Sequence, residues 1–295
     1  MKKYRSIPCV TALCLTLVIS MFSITSTAAS SNEFDNVKIN VIKARNNVYM
    51  LKGAGGNIGV LATDKGLIMI DDQFEPLAER IETAMQSISK QPIKYIINTH
   101  FHGDHTGSNG YFSHQAPIFA HQNVLERLLD EGKKAEFLPD ITYQDGIVIH
   151  LADEEVQLTH YPSAHTDSDT AVYFKKANVL HTGDLFFELG FPYIDLKRGG
   201  SVKGYLSAVQ TLLAQVPDDV VIIPGHGKLT DKKRYQAFAD MIAYSIKRVS
   251  QLLNEGKTEQ EIVILGLGDN YKQWSWQFIN EEKWLKTVVA DLSYH

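Results

Sequence analysis

The run Thr99-His100-Phe101-His102-Gly103-Asp104-His105-Thr106-Gly107 constrains this chain more than any other feature. Three of the 11 histidines fall between positions 100 and 105, directly behind an apolar strand read at Lys94–Ile97. Imidazoles and a carboxylate crowded onto a strand end are costly unless something binds them, and they form the ligand set expected for zinc or iron. If His100 and His102 continue an extended backbone, they point to one side and can grip one ion. Asp104 and His105, beyond the Gly103 turn, can address a second.

Three further segments repeat this placement. Pro162-Ser163-Ala164-His165-Thr166 follows a strand at Val156–Tyr161, Thr182-Gly183-Asp184 ends one at Val179–Thr182, and Pro224-Gly225-His226-Gly227 follows one at Val220–Ile223. Each candidate ligand sits after a strand at a turn marked by Gly or Pro, which would gather seven ligands where loops converge at one edge of a sheet pair. The remaining pattern supports such sheets. Strands at Val37–Ile42, Asn47–Leu51, Ile58–Thr63 and Leu67–Ile70 read as an antiparallel meander, followed by an amphipathic helix over Glu75–Lys90. Strands at Ile147–His150 and Ala171–Phe174, a helix at Val202–Gln215 and a long helix at Asp231–Asn254 give the second half a similar order. Residues 30–295 are therefore expected to form one compact domain of two sheet-plus-helix layers.

The first residues read differently. Lys2, Lys3 and Arg5 precede an apolar run from Ile7 to Ile24, and small residues follow through Ala28-Ala29-Ser30, the pattern of a secretory signal peptide cleaved near Ala29. Both cysteines, Cys9 and Cys14, lie within residues 1–29, so the mature domain has no disulfide and no lasting membrane insertion is expected. Removing the leader takes away three bases and no acid, moving the formal charge from −5 to −8. That balance argues against gripping a nucleic-acid backbone.

Together the H-x-H-x-D-H run, the later His, T-G-D and P-G-H-G resemble the metallo-β-lactamase-fold hydrolase superfamily over about Val37 to Asn254. The resemblance implies an α/β (α+β) fold, a four-layer αββα sandwich with a metal site at the edge of its two sheets. It further implies that His100, His102 and His165 hold a first metal and Asp104, His105 and His226 a second, with Asp184 bridging. The expected cofactors are two zinc ions, with iron or a mixed pair as the other options. Asp184 is followed by Leu185, Phe186 and Phe187, where the Cys-type β-lactamases of the superfamily carry Cys and soon after it Lys. The bridging Asp resembles glyoxalase II-type thioesterases and acyl-homoserine lactonases more closely.

Two divalent ions about 3.5–4 Å apart share a water whose pKa falls from about 15.7 toward 7, which supplies the nucleophile. Asp104 would orient it or shuttle its proton. Asp71 or Asp72, ending the strand Leu67–Ile70, is a candidate acceptor for a ligand imidazole N–H. The loop Phe191–Gly200 is expected to select the substrate, with Tyr193 as a pocket wall and Lys197 or Arg198 meeting an anionic group. The Gly53–Gly59 stretch reads as a hairpin turn beside the site, and Trp274, Trp276 and Trp284 as core packing. The expected activity is an exported dinuclear zinc hydrolase that opens a small-molecule ester, lactone, thioester or β-lactam carbonyl. A true β-lactamase and a mononuclear-iron enzyme of the persulfide dioxygenase kind are the alternatives. Oligomeric state is left open.

Overall fold

A computed structural model describes residues 33–293; the expected leader at 1–29 lies outside them. The chain opens with an antiparallel meander of β1 (Asn40–Arg45), β2 (Val48–Lys52), β3 (Ile58–Thr63) and β4 (Gly66–Ile70). Helix α1 (Ala78–Ile88) then crosses back so that β5 (Ile93–Ile97) runs parallel to β4. After the short helices α2 (Gly103–Thr106) and α3 (Asn109–Phe112) come β6 (Ile118–His121), α4 (Gln122–Asp130) and β7 (Ile141–Tyr143), completing a seven-stranded sheet in sequential order.

The second sheet begins with β8 (Gly146–Leu151), β9 (Glu154–His160), β10 (Thr170–Phe174) and β11 (Val179–His181). Helix α5 (Val202–Gln215) crosses to β12 (Val221–Ile223), parallel to β11, and β13 (Thr230–Asp231) adds the sixth strand. Helices α6 (Lys232–Asn254), α7 (Glu259–Leu265) and α8 (Glu281–Ser293) close the chain. Among the described residues no helix is long and apolar enough to cross a membrane.

Period-two alternation explains the layering. In β4, Ile68 and Ile70 face the second sheet, where they meet Val156, Leu158, Val172 and Phe174. Their neighbours Leu67 and Met69 face α1 and pack on Ile81 and Met85. On the far side Leu180 and Ile222 meet Val209, Leu212, Phe238 and Trp284 from the helices. The result is the αββα sandwich.

Strand direction positions the site. β9 and β11 are each antiparallel to β10, and β12 is parallel to β11, so β9, β11 and β12 end at the same edge. β4 and β5 are likewise co-directional. Loops that leave these carboxyl ends are free of pairing duties and can carry polar side chains, as in other α/β sheets.

Several expected boundaries move. The first strand begins at Asn40, because the chain before it turns through a Val37 N–H bond to the Phe34 carbonyl. The helix expected over Glu75–Lys90 is a 3₁₀ turn at Glu75–Leu77 followed by α1, which ends at Ile88. Pro76 sits in the first turn, where its missing N–H would have had no helical partner and its fixed φ suits the start of a helix.

Candidate metal centre

The metal-binding run leaves β5 extended. His102 has φ −60° and ψ 145° and precedes α2, which carries Asp104 and His105. Two clusters of ligand atoms form, each spanning no more than 4.8 Å: His100, His102, His165 and Asp184 in one, Asp104, His105 and His226 in the other. In the first, His102 Nδ1 lies 3.1 Å from His100 Nε2 and 3.0 Å from His165 Nε2. Asp184 spans the two. Its Oδ2 is 3.8 Å from His100 Nε2 and 3.4 Å from His165 Nε2, and its Oδ1 is 3.1 Å from His105 Nε2 and 3.3 Å from His226 Nε2.

Four of the five imidazoles, those of His100, His102, His105 and His165, have the other nitrogen engaged. His105 Nδ1 is 2.7 Å from Asp71 Oδ2, His102 Nε2 is 3.3 Å from Asp195 Oδ2, and His165 Nδ1 donates to the Tyr193 carbonyl at 2.8 Å. His100 Nδ1 meets Thr99 Oγ1, which itself donates to Asp71 Oδ2 at 2.8 Å. Such partners fix ring orientation and tautomer, leaving the inward nitrogen as a lone pair.

Buried donors and acceptors test whether this set suits a metal. His105 Nε2 and Asp184 Oδ1 are buried and find no hydrogen-bond partner among protein atoms, a costly condition unless a cation satisfies both. Two nearby glycines leave space for these side chains. A Cβ on Gly56 would lie 2.2 Å from His105 Cε1, and one on Gly225 would lie 2.1 Å from Asp184 Oδ1. Nitrogen and carboxylate donors in this number fit divalent metal ions.

Electrostatics separates the two halves. Burial pushes the His100 imidazole well below its usual range and the His105 charge adds to this, while burial takes His165 down to about 3. Both are neutral ligands at ordinary pH. Burial works against protonation of His105 and His226 too, but the Asp184 and Asp104 carboxylates outweigh it and raise both. Burial likewise disfavours the charged Asp184 carboxyl, and His226 and His105 reverse that, holding it well below the carboxylate range. This half calls for positive charge.

The structure gives the Asp71–Asp72 pair separate roles. Asp71 alone reaches a ligand ring. Asp72 Oδ1 accepts from the Ser108 N–H at 2.9 Å, its Oδ2 is unpartnered, and burial raises its carboxyl well above the usual value. His160, at the end of β9, stacks on His121 with ring centroids 3.5 Å apart and lies outside both clusters.

Above the clusters opens a pocket of about 770 Å³. Tyr193 and Arg198 line it, whereas Lys197 is exposed and outside it. Lys197 lies in a 3₁₀ turn capped by Asp195, whose side chain accepts its backbone N–H, and that turn directs the Lys197 side chain to solvent. Trp274 and Trp284 are buried as expected of core residues, but Trp276 lines the pocket with Phe278. Two-residue spacing carried no signal here, since an extended stretch would put positions 274, 276 and 278 on one face; Trp274 instead ends a 3₁₀ turn at Asp269–Trp274, and the chain turns extended only after it. Thr99 and Asp195, as partners of ligand rings, carried no signal either, since one is a common hydroxyl and the other one acid among 34 Asp and Glu.

Comparison with known proteins agrees with this geometry. Residues 51–226 match the Metallo-beta-lactamase superfamily. The hydroxyacylglutathione hydrolase GloC of Haemophilus influenzae is 28% identical over 180 residues, spanning 57% of this chain and 82% of that protein. Among solved structures, a metallo-beta-lactamase from Pontibacter korlensis superposes with a TM-score of 0.63 at 19% identity, covering 70% of this chain and 99% of its own. The sec-alkylsulfatase Pisa1 from Pseudomonas sp. superposes with a TM-score of 0.67 at 16% identity, covering 85% and 50%.

Proposed function

The chain belongs to the metallo-β-lactamase superfamily and is a metal-dependent hydrolase, and from that premise we propose an exported enzyme with two zinc ions that hydrolyses a small carbonyl ester, lactone or thioester. The observation that carries the two-ion reading is Asp184, whose two carboxylate oxygens face different histidine groups. His100, His102 and His165 would hold one ion, Asp104, His105 and His226 the other, with Asp184 shared. The persulfide dioxygenase kind resembles the same ligand set, and the dinuclear hydrolase is preferred because both groups are complete and share Asp184. When bound, such a pair supplies an activated water at neutral pH and polarises the substrate carbonyl.

The protein's own groups do the rest. Asp71, Asp195 and the Tyr193 carbonyl hold three ligand rings in their productive tautomers. Asp104, at the pocket wall with its side chain 24% exposed, is placed to take a proton at its carboxylate and return it to the departing group. The relative named for hydroxyacylglutathione favours a thioester. Against glutathione itself, Arg198 is the one cation among the described residues lining the pocket. Export is supported by the Lys2–Ala29 pattern.

The test is elemental analysis of the purified mature protein, alongside a panel of lactones, thioesters and a chromogenic cephalosporin. About two zinc ions per chain are expected, together with hydrolysis that chelation and His102→Ala abolish. No chelator-sensitive hydrolysis across the panel would refute the assignment.

A further inference from the structure

We infer that the substrate carries an uncharged aryl group, seated in an arc of aromatic rings that the C-terminal segment completes; the inference deepens the hydrolase reading above and rests on it. The arc is continuous. Phe187 stacks on His226 with centroids 5.1 Å apart, Trp276 lies 6.1 Å from Phe187, and Phe278 meets Trp276 edge-on at 5.7 Å. Tyr193 meets Phe278 at 5.7 Å and then reaches His102 at 6.0 Å and His165 at 5.7 Å. The rings thus run from an imidazole of one ligand group to imidazoles of the other, so a planar group lying along them is held beside both.

Trp276 and Phe278 lie beyond residue 226, where the family match ends, so this wall belongs to the chain's own C-terminal segment. It is fixed in place. Trp276 Nε1 donates to the Phe191 carbonyl at 2.8 Å, the Phe191 N–H donates to the Trp274 carbonyl at 2.7 Å, and the Trp276 N–H donates to Ile279 at 3.1 Å. Phe278 is nevertheless 52% exposed at the rim. A half-exposed phenyl on a rigid concave wall gains apolar burial when a ring covers it, and paired rings add offset or edge-on attraction.

Charge at the rim argues for a neutral group. Arg198 is the one Lys or Arg in the lining, which it shares with Asp104, Glu131, Asp184 and Asp195, so acids outnumber it there. Among the described side chains of the lining, an anionic substituent would meet one cation against four acids.

The test uses zinc-loaded protein and thioesters that share one small partner. S-ethyl thioacetate is compared with S-ethyl phenylthioacetate, S-phenylethyl thioacetate and the anionic S-ethyl thiosuccinate, each followed by thiol release. One of the two phenyl compounds is expected to exceed S-ethyl thioacetate in kcat/KM by roughly 30-fold, the effect of burying one ring, and the succinyl compound to fall below it. Phe278→Ala and Trp276→Ala should shrink the phenyl preference to a few-fold, and Phe278→Tyr should keep it. Zinc content and melting temperature of each variant report folding. Separately, phenylacetamide should quench tryptophan fluorescence saturably, and Trp276→Phe should remove the quenching, because Trp274 and Trp284 are buried. A phenyl preference near one in the wild type, or one unchanged in folded, zinc-loaded alanine variants, would overturn the inference. If no thioester is cleaved, the hydrolase reading fails for this class and the arc is judged by quenching alone, with no quenching overturning it.

Discussion

Asp71→Asn exchanges one oxygen for an amide nitrogen at a fully buried side chain that receives three donors. Oδ1 accepts from the Thr99 N–H at 2.7 Å, and Oδ2 accepts from Thr99 Oγ1 at 2.8 Å and from His105 Nδ1 at 2.7 Å. An asparagine can serve only one side. With its oxygen toward the fixed Thr99 N–H, its NH₂ faces the other two donors, so His105 must move its proton to Nε2, the nitrogen that faces Asp184. The lost hydrogen bond to a charged acceptor is worth about 1.5–3 kcal/mol, and a re-aimed Thr99 hydroxyl adds about 1 kcal/mol. A fall in stability of about 2–4 kcal/mol follows, or roughly 5–15 °C in melting temperature for a domain of this size. Zinc affinity of the Asp104–His105–His226 group should fall about 10- to 100-fold. The first group should change less, because Asp71 reaches His100 only through Thr99. Zinc competition against a chromophoric chelator resolves the two affinities, and a thermal melt reads stability. If Asp71→Asn keeps both zinc affinities and the melting temperature of the wild type, the assigned role of Asp71 is wrong.

Gly56→Ala should reduce zinc binding by the His105 group, because the new Cβ would sit 2.2 Å from the His105 ring; equal metal content in wild type and variant would contradict it. Tyr205→Phe removes the buried bond from its hydroxyl to the Asp184 carbonyl at 2.7 Å, so denaturant unfolding should show a loss of about 1–2 kcal/mol. His121 should make the fold acid-sensitive. Burial, with the stacked His160 adding to it, takes its imidazole down to about 4, so the unfolded chain binds the proton first. Stability is then full above about pH 6.5 and declines as pH falls toward 4, by at most about 1.4 kcal/mol per pH unit for one proton. His121→Asn keeps an acceptor at the start of α4, where His121 Nδ1 now receives the Asn123 N–H, and in urea titrations between pH 4 and 7 should reduce the slope by up to one proton's share, the other buried histidines keeping the rest.

The seven ligand positions were legible because each one follows a strand at a Gly or Pro turn, and strand ends are what the period-two pattern reveals best. The interior strands β3 and β4 were legible for a different reason, as short apolar runs buried on both faces. Less visible were β6 and β7, only four and three residues long, which are defined by parallel pairing with distant partners and not by any local pattern. The partners of the ligand rings were also hidden. Asp195 reaches His102 across 93 positions and Thr99 acts through a single hydroxyl, relations that exist only after the two sheets have closed. Trp276 was misread for a related reason: a tryptophan's composition favours the core, and only the bond from its indole N–H to Phe191 and the turn at Ile279 bring it to the pocket.

Crystals of the mature protein grown with zinc, with diffraction recorded at the zinc absorption edge, would locate the ions themselves. Two anomalous peaks are expected, one among His100, His102 and His165 and one among Asp104, His105 and His226, with Asp184 between them. A single peak, or a pair in which Asp184 touches only one ion, would contradict the shared-carboxylate centre on which the proposed chemistry depends.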